Sequence, residues 1–318
     1  MDIDYLLLLQ NFREATGNVL SPLMLSASDI SIGFIPLALI CLVYWAFDRR
    51  AGRRIFAGLS LGLFLNGLLK LVCCVYRPWI RDARVVPYGN SKVTATGYSF
   101  PSGHSTLATA TVGGVGAWLW RSARRILASL CFAFVALVMF SRNYLGVHTP
   151  QDVVVGLLAT ALMMFVASKL EDWTDEDPSR DRLVLIGGVL LCALATLFYF
   201  LKSYPLDYQA DGSLLVDPAK MRADSFEGIG LVCAYVICRY FERRGFAFDE
   251  ELVLKPRLAC GVVALVPLAA WLALGYPALK AIDPLMGKFV GFFVFVAYVM
   301  LAVPAAMGVV ANRLRKSR

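Results

Sequence analysis

The chain of 318 residues is 58% apolar and only 17% charged, with a mean hydropathy of +0.65. A water-soluble domain carries about a quarter charged residues, so the composition excludes that class and places the chain in a bilayer. The net charge of +8, from 31 Lys and Arg against 23 Asp and Glu, needs no nucleic acid to explain it, because a cationic face against anionic lipid headgroups is enough.

Residues 4 to 24 read as a short amphipathic segment lying at the outer interface. Asp2 and Asp4, with no basic residue ahead of Leu6 to Leu9, argue against a cleaved signal peptide. Apolar blocks then follow at 28–47, 55–76, 102–120, 126–141, 151–168, 183–201, 226–241, 258–275 and 287–311. Each approaches the roughly 20 residues that a helix needs to cross hydrocarbon. The pattern predicts an all-α, polytopic membrane bundle of about nine transmembrane helices.

Lys and Arg in short loops stay on the cytoplasmic side. With the C-terminus inside and the N-terminus outside, 19 of the 31 basic residues fall inside, among them Arg49, Arg50, Arg53, Arg54, Arg121, Arg239 and Arg243. The acidic run Glu171 to Asp181 breaks the chain and reads as a solvated face. It divides a five-span core with its interfacial helix (1–168) from a four-span C-terminal region (183–318), with 169–182 as a cytoplasmic linker. All eight cysteines lie in or beside apolar blocks and read as small buried hydrophobes.

The chain has two histidines, and both fall at outer span boundaries. His148 is followed by Thr149, Pro150 and Asp152, the pattern of a capped helix start in which Asp152 returns a hydrogen bond to the cap amide. The same carboxylate can fix the imidazole tautomer and leave the other ring nitrogen basic. His104 follows Pro101, Ser102 and Gly103 at the start of another helix. Lys70 stands deep in an apolar segment, which is costly unless it meets an anion. With Arg77 and Arg142 it supplies three cations, and the guanidinium fork fits phosphoryl oxygens. Backbone amides at Ser102, Gly103 and His104 add donors at a helix N-terminus. Two histidines and scattered carboxylates make no recognisable metal-ligand spacing, so the cations are expected to neutralise the charge that a metal would otherwise take.

These residues form the strings Lys70-x6-Arg77-Pro78, Pro101-Ser102-Gly103-His104 and Ser141-Arg142-x5-His148-x3-Asp152. Their order and spacing resemble the three-part signature of the type 2 phosphatidic acid phosphatase (PAP2) superfamily. The resemblance implies that His148 attacks phosphorus and forms a phosphohistidine, that Asp152 orients it, and that His104 protonates the leaving oxygen and then helps activate water. It implies that Lys70, Arg77, Ser102, Gly103 and Arg142 hold the phosphoryl oxygens, that Pro78, Pro101 and Ser141 shape the site, and that no cofactor is needed. The nine-span layout is similar to glucose-6-phosphatases.

The expectation is therefore a metal-independent membrane phosphatase acting on a lipid phosphate or diphosphate at the outer face of a bacterial inner membrane. Its partners would be the phosphorylated lipid and the surrounding membrane lipids, with no nucleic acid. The C-terminal spans leave room for a homodimer surface, a lipid-entry groove or a transport half. A sugar-phosphate phosphatase, a lipid phosphotransferase and a transporter with a relic site are the alternatives; a vanadate-binding haloperoxidase of the same superfamily is disfavoured by the membrane character.

Overall fold

The computed structural model describes residues 2–245 and 254–316, and the regular elements among them are all helical. In chain order the helices are α1 (Asp2–Ala15), α2 (Ser21–Ile32), α3 (Phe34–Leu42), α4 (Arg49–Cys73), α5 (Pro78–Arg81), α6 (Gly103–Ala108), α7 (Gly114–Arg121), α8 (Arg125–Tyr144), α9 (Pro150–Glu176) and α10 (Asp181–Leu201). They continue with α11 (Pro218–Glu242), α12 (Leu254–Ala270), α13 (Tyr276–Ile282), α14 (Pro284–Ala297) and α15 (Val303–Lys316). One local device starts several of them. A polar cap followed by proline, as in Thr149-Pro150, Asp217-Pro218 and Asp283-Pro284, satisfies first-turn amides while proline presets the helical φ.

Among the described residues, six helical stretches are long and apolar enough to cross a bilayer: Arg49–Arg81, Arg125–Tyr144, Pro150–Glu176, Pro178–Leu201, Leu254–Ile282 and Pro284–Arg313. A seventh arises if Ser21–Ile32 and Phe34–Phe47, bent by 47°, count as one span. The other two expected spans are helical, yet neither passes as a single apolar crossing. The segment 102–120 is divided by a π-helical turn at Thr109–Gly113. The segment 226–241 belongs to α11, which carries Asp224, Glu227 and Arg239 and packs between α4, α10 and α14.

Trp45, Phe56, Phe295 and Met300 are fully buried in one apolar core shared by both halves of the chain. Trp45 Nε1 donates to Val299 O at 2.9 Å across that core. The backbones of α4 and α11 approach closely, because a Cβ on Gly228 would stand 2.6 Å from Phe64 Cα.

At the end of the bundle where α4 begins and α9 ends, the acidic run is a solvated face only in part: Glu176 is exposed, while the two ends of the run turn inward. Glu171 and Asp181 are each 2% exposed. Arg53 Nε reaches Glu171 at 2.8 Å from α4, and Arg239 on α11 binds both Glu171 and Asp181. Arg243 adds ion pairs to Asp175 and Asp181, at 2.5 and 2.9 Å. Pairing offsets much of the cost of burying these charges. The matching arginines lie more than 100 and nearly 70 positions away in the chain, which is why the run alone reads as solvated. The eight cysteines form no disulfide, and the expectation of buried small hydrophobes holds for Cys41, Cys192 and Cys238 but not for Cys73, which is exposed.

Candidate active site

The opposite end of the bundle, where α4 and α8 finish and α6 and α9 start, gathers the motif residues. Helix α8 ends in a turn through Gly146, whose φ of +73° suits glycine. Gly146 N donates to Asn143 O at 2.9 Å and Val147 N to Arg142 O at 3.1 Å. The chain thus folds back on the helix end, and Asn143 Nδ2 holds His148 O at 2.8 Å. Ser141 Oγ turns inward to Val138 O at 2.7 Å, a shaping contact.

Helix α9 then starts with the expected capping box. Asp152 Oδ2 accepts from Thr149 N at 2.9 Å. The same oxygen meets His148 Nδ1 at 3.1 Å and accepts from Ser99 Oγ. A carboxylate opposite Nδ1 assigns the ring proton to that nitrogen and leaves the lone pair on Nε2. Nε2 in turn lies 2.8 Å from Arg77 Nη1, which can only donate. His148 is 1% exposed, and its burial, with the Arg77 charge beside it, holds its pKa well below the ordinary imidazole range, so the ring is neutral at neutral pH.

Arg77 is anchored on backbone carbonyls. Its Nε donates to Gly97 O at 3.0 Å, Nη2 to Thr96 O at 2.9 Å and Nη1 to Val147 O at 3.1 Å. Lys70 donates to Tyr98 O at 2.8 Å and more weakly to Ser99 O at 3.4 Å. These bonds tie residues 96–99 to the ends of α4 and α8. Trp79 lies 5.9 Å from the Arg77 guanidinium carbon and 5.4 Å from Lys92 Nζ, measured to its ring centroid. Arg142 is fully buried, with Nη1 on Ser28 Oγ, while its Nε and Nη2 have no hydrogen-bond partner among the described residues.

At the start of α6, Ser102 Oγ accepts from Ser105 N at 3.4 Å and caps the helix. The Ser102 amide, expected among the phosphate donors, instead donates to Asp152 O at 2.9 Å. Gly103 and His104 open the helical turn itself. A Cβ on Gly103 would have Asn66 Oδ1 as its nearest neighbour, at 4.0 Å, so protein packing does not require glycine there. Gly156 is different: a Cβ would come within 2.9 Å of Ser102 O, and its absence lets α9 pass the start of α6. His104 is 5% exposed, its Nε2 has no partner, and it lies within electrostatic reach of Arg142, His148, Arg77 and Lys70.

The structure therefore brings together Lys70, Arg77, Ser102, Gly103, His104, Arg142, His148 and Asp152 as one cluster. Among the described residues, none of its three cations has a carboxylate within salt-bridge distance. Buried donors without partners, beside two imidazoles, suit an incoming oxyanion. Among the described residues no three His, Cys, Asp or Glu side chains gather as a metal-binding group. Three contributors escape the motif. Ser99 meets Asp152 from 53 positions away, Asn143 supports His148 from within the x5 gap, and Asn66 holds Pro101 O at 3.3 Å and Thr106 Oγ1 at 3.0 Å. Asn143 had a local signal, an amide at a helix end five residues before the nucleophile candidate; Ser99 and Asn66 had none.

Residues 51–175 match the PAP2 superfamily. The undecaprenyl-diphosphatase BcrC of Bacillus subtilis is 31% identical over 162 residues, covering 49% of this chain and 77% of that protein. An undecaprenyl-diphosphatase of Sulfolobus acidocaldarius is 28% identical over 142 residues, 43% of this chain and 63% of its own length. Phosphatidylglycerophosphatase B of Escherichia coli is 35% identical over 75 residues, 24% of this chain and 30% of its own. No solved structure matches the chain. With this similarity resting on the stretch that carries the two imidazoles and three cations, the chain belongs to the PAP2 superfamily and is a membrane phosphoric monoester hydrolase.

Proposed function

We propose that the protein hydrolyses a lipid phosphate or diphosphate monoester at the outer, periplasmic or lumenal, membrane face through a phosphohistidine intermediate. The observation that carries this reading is the arrangement around His148, with Nδ1 facing Asp152 and the Nε2 lone pair beside Arg77. An entering phosphoryl oxygen would take over the Arg77 Nη1 hydrogen, freeing Nε2 to form the P–N bond. The P–O bond to the lipid breaks, and His104 gives its proton to the leaving oxygen. A phosphate dianion supplies the negative charge that lets His104 carry that proton among three cations. In the second half His104 takes a proton from water, the water oxygen bonds phosphorus, and the P–N bond breaks to release phosphate.

Polyprenyl diphosphate and phosphatidylglycerophosphate are the preferred substrates on this reading, since the named relatives act on such lipids. Cations at headgroup depth favour the same class, because the chains can stay in the bilayer while phosphorus reaches His148. The reading keeps a nine-span bundle, with 103–121 and α11 as its inner crossings, the N-terminus outside and the C-terminus inside a bacterial plasma membrane. Residues 1–168 form its catalytic core, 169–182 the link and 183–318 a four-span addition.

Phosphate release from undecaprenyl diphosphate, phosphatidylglycerophosphate, phosphatidic acid and glucose 6-phosphate, measured on purified protein in detergent, tests this. The lipids are expected to lead in kcat/KM, and His148→Ala to release no phosphate from any of them. Preference for glucose 6-phosphate would overturn the lipid assignment, and turnover by His148→Ala would overturn the nucleophile.

A further inference from the structure

A cavity opens at the end of the bundle opposite His148. Its volume of about 1090 Å³ lies just above the usual range for small-molecule sites. Helix α7 and the π turn that precedes it form one wall, α8 and α9 form the others, and the start of α4 closes the mouth. None of Lys70, Arg77, His104, Arg142, His148 or Asp152 lines it. Along α9 it runs from Lys169 to Leu157, about 18 Å at 1.5 Å per residue.

Its two ends differ chemically. The deep part is apolar, walled by Val135, Met139, Leu157 and Met164, and small residues on both sides, Gly113 and Ala161, leave the width. The π turn at Thr109–Gly113 borders this part, and π turns inside helices are frequent at functional sites. The Thr109 hydroxyl, buried there, has no hydrogen-bond partner. The mouth is cationic. Arg121 from α7 and Lys169 from α9 stand at its rim, and among the described residues neither has a carboxylate within salt-bridge distance. Arg54 is paired with Asp172, but its Nε is buried and unpartnered. Asp48, the other acid at the mouth, is turned onto Ala51 N and Trp118 Nε1.

We propose that this cavity is a second lipid site that takes an anionic phospholipid, with its phosphate between Arg121 and Lys169 and its acyl chains against the apolar walls. Charge decides the orientation of the occupant. A substrate with its phosphate at His148 would bring the uncharged end of its tail to the basic mouth and leave both cations unmatched. A phospholipid entering from the basic end matches them. The inference does not depend on which substrate the catalytic end accepts.

The test is native mass spectrometry of the full chain taken from nanodiscs of equal phosphatidylglycerol and phosphatidylcholine with identical chains. One phosphatidylglycerol is expected to stay bound in preference to phosphatidylcholine. Arg121→Gln with Lys169→Gln should weaken its retention about 30-fold, on the basis of roughly a decade and a half for two surface cations. Both substituted side chains are exposed, so the fold should be unaffected, and phosphate release from short-chain phosphatidic acid in detergent should stay unchanged. Ala161→Phe, filling the deep part, should also reduce retention. Equal retention of the two lipids, or full retention by the double variant, would overturn the proposal. So would an Ala161→Phe protein that keeps phosphatidylglycerol but loses turnover of long-chain substrates alone, since the cavity would then hold the substrate's tail.

Discussion

The two ends of the bundle both bury arginine, and they treat it in opposite ways. At one end Arg239 is 2% exposed and faces Glu171 and Asp181, with Arg53 and Arg243 completing a matched network. At the other, Arg77 is 4% exposed and fully buried Arg142 lies nearby, yet their partners are carbonyls, one serine hydroxyl and one imidazole. Desolvating a cation without an anion is expensive, so a chain keeps such groups where their charge is used. Arginines that hold the fold are neutralised by the protein, and on the proposed reading Arg77 and Arg142 take their anion from the substrate.

The comparison can be broken from either side. The largest effect is expected at the nucleophile's support. Asp152→Asn should lower kcat by about 10⁴-fold, because an amide can stabilise the wrong ring tautomer, as in the related triad chemistry of hydrolases. Phosphate release and a circular dichroism spectrum together read this, and a loss under tenfold would remove Asp152 from the orienting role. Next comes Arg142→Gln, expected to cost about 10²–10³ in kcat/KM as the loss of one preorganised donor set. Its thermal stability should be kept or raised, since an unmatched buried charge is gone; strong destabilisation would place Arg142 with the structural arginines.

The mirror experiment is Arg239→Leu. Removing one partner of a buried pair should cost about 3–5 kcal/mol of stability, with kcat of the folded fraction unchanged. Thermal unfolding followed beside activity would separate the two, and a large drop in kcat without melting would erase the contrast between the ends. The smallest effect belongs to Ser99→Ala. Losing one hydrogen bond to a carboxylate should reduce kcat about tenfold. An unchanged kcat would make Ser99 a packing residue.

Much of the catalytic end is legible in the sequence because its geometry is local. Only six residues separate Lys70 from Arg77, and the turn through Gly146 and the cap at Thr149 fix how Arg142, His148 and Asp152 face one another. Residues acting across the fold are not legible in this way. Ser99 and Asn66 carry no spacing signal, because their partners come from other helices. The acidic run misleads for the same reason: nothing near Glu171 in the chain announces Arg53 or Arg239. Hydropathy gives the helical bundle, yet it overlooks that 103–121 is broken by a π turn and that α11 carries charges inside the bundle.

Asp152 Oδ2 serves three donors at once, the Thr149 amide, the His148 ring and the Ser99 hydroxyl. Enzymes commonly trade robustness for turnover, since strained or unpaired groups in an active site weaken the fold. On the proposed mechanism that conflict is absent at this position: the contact that anchors a long helix would also aim the His148 ring, so selection for a sturdier protein and for a faster one would favour the same side chain.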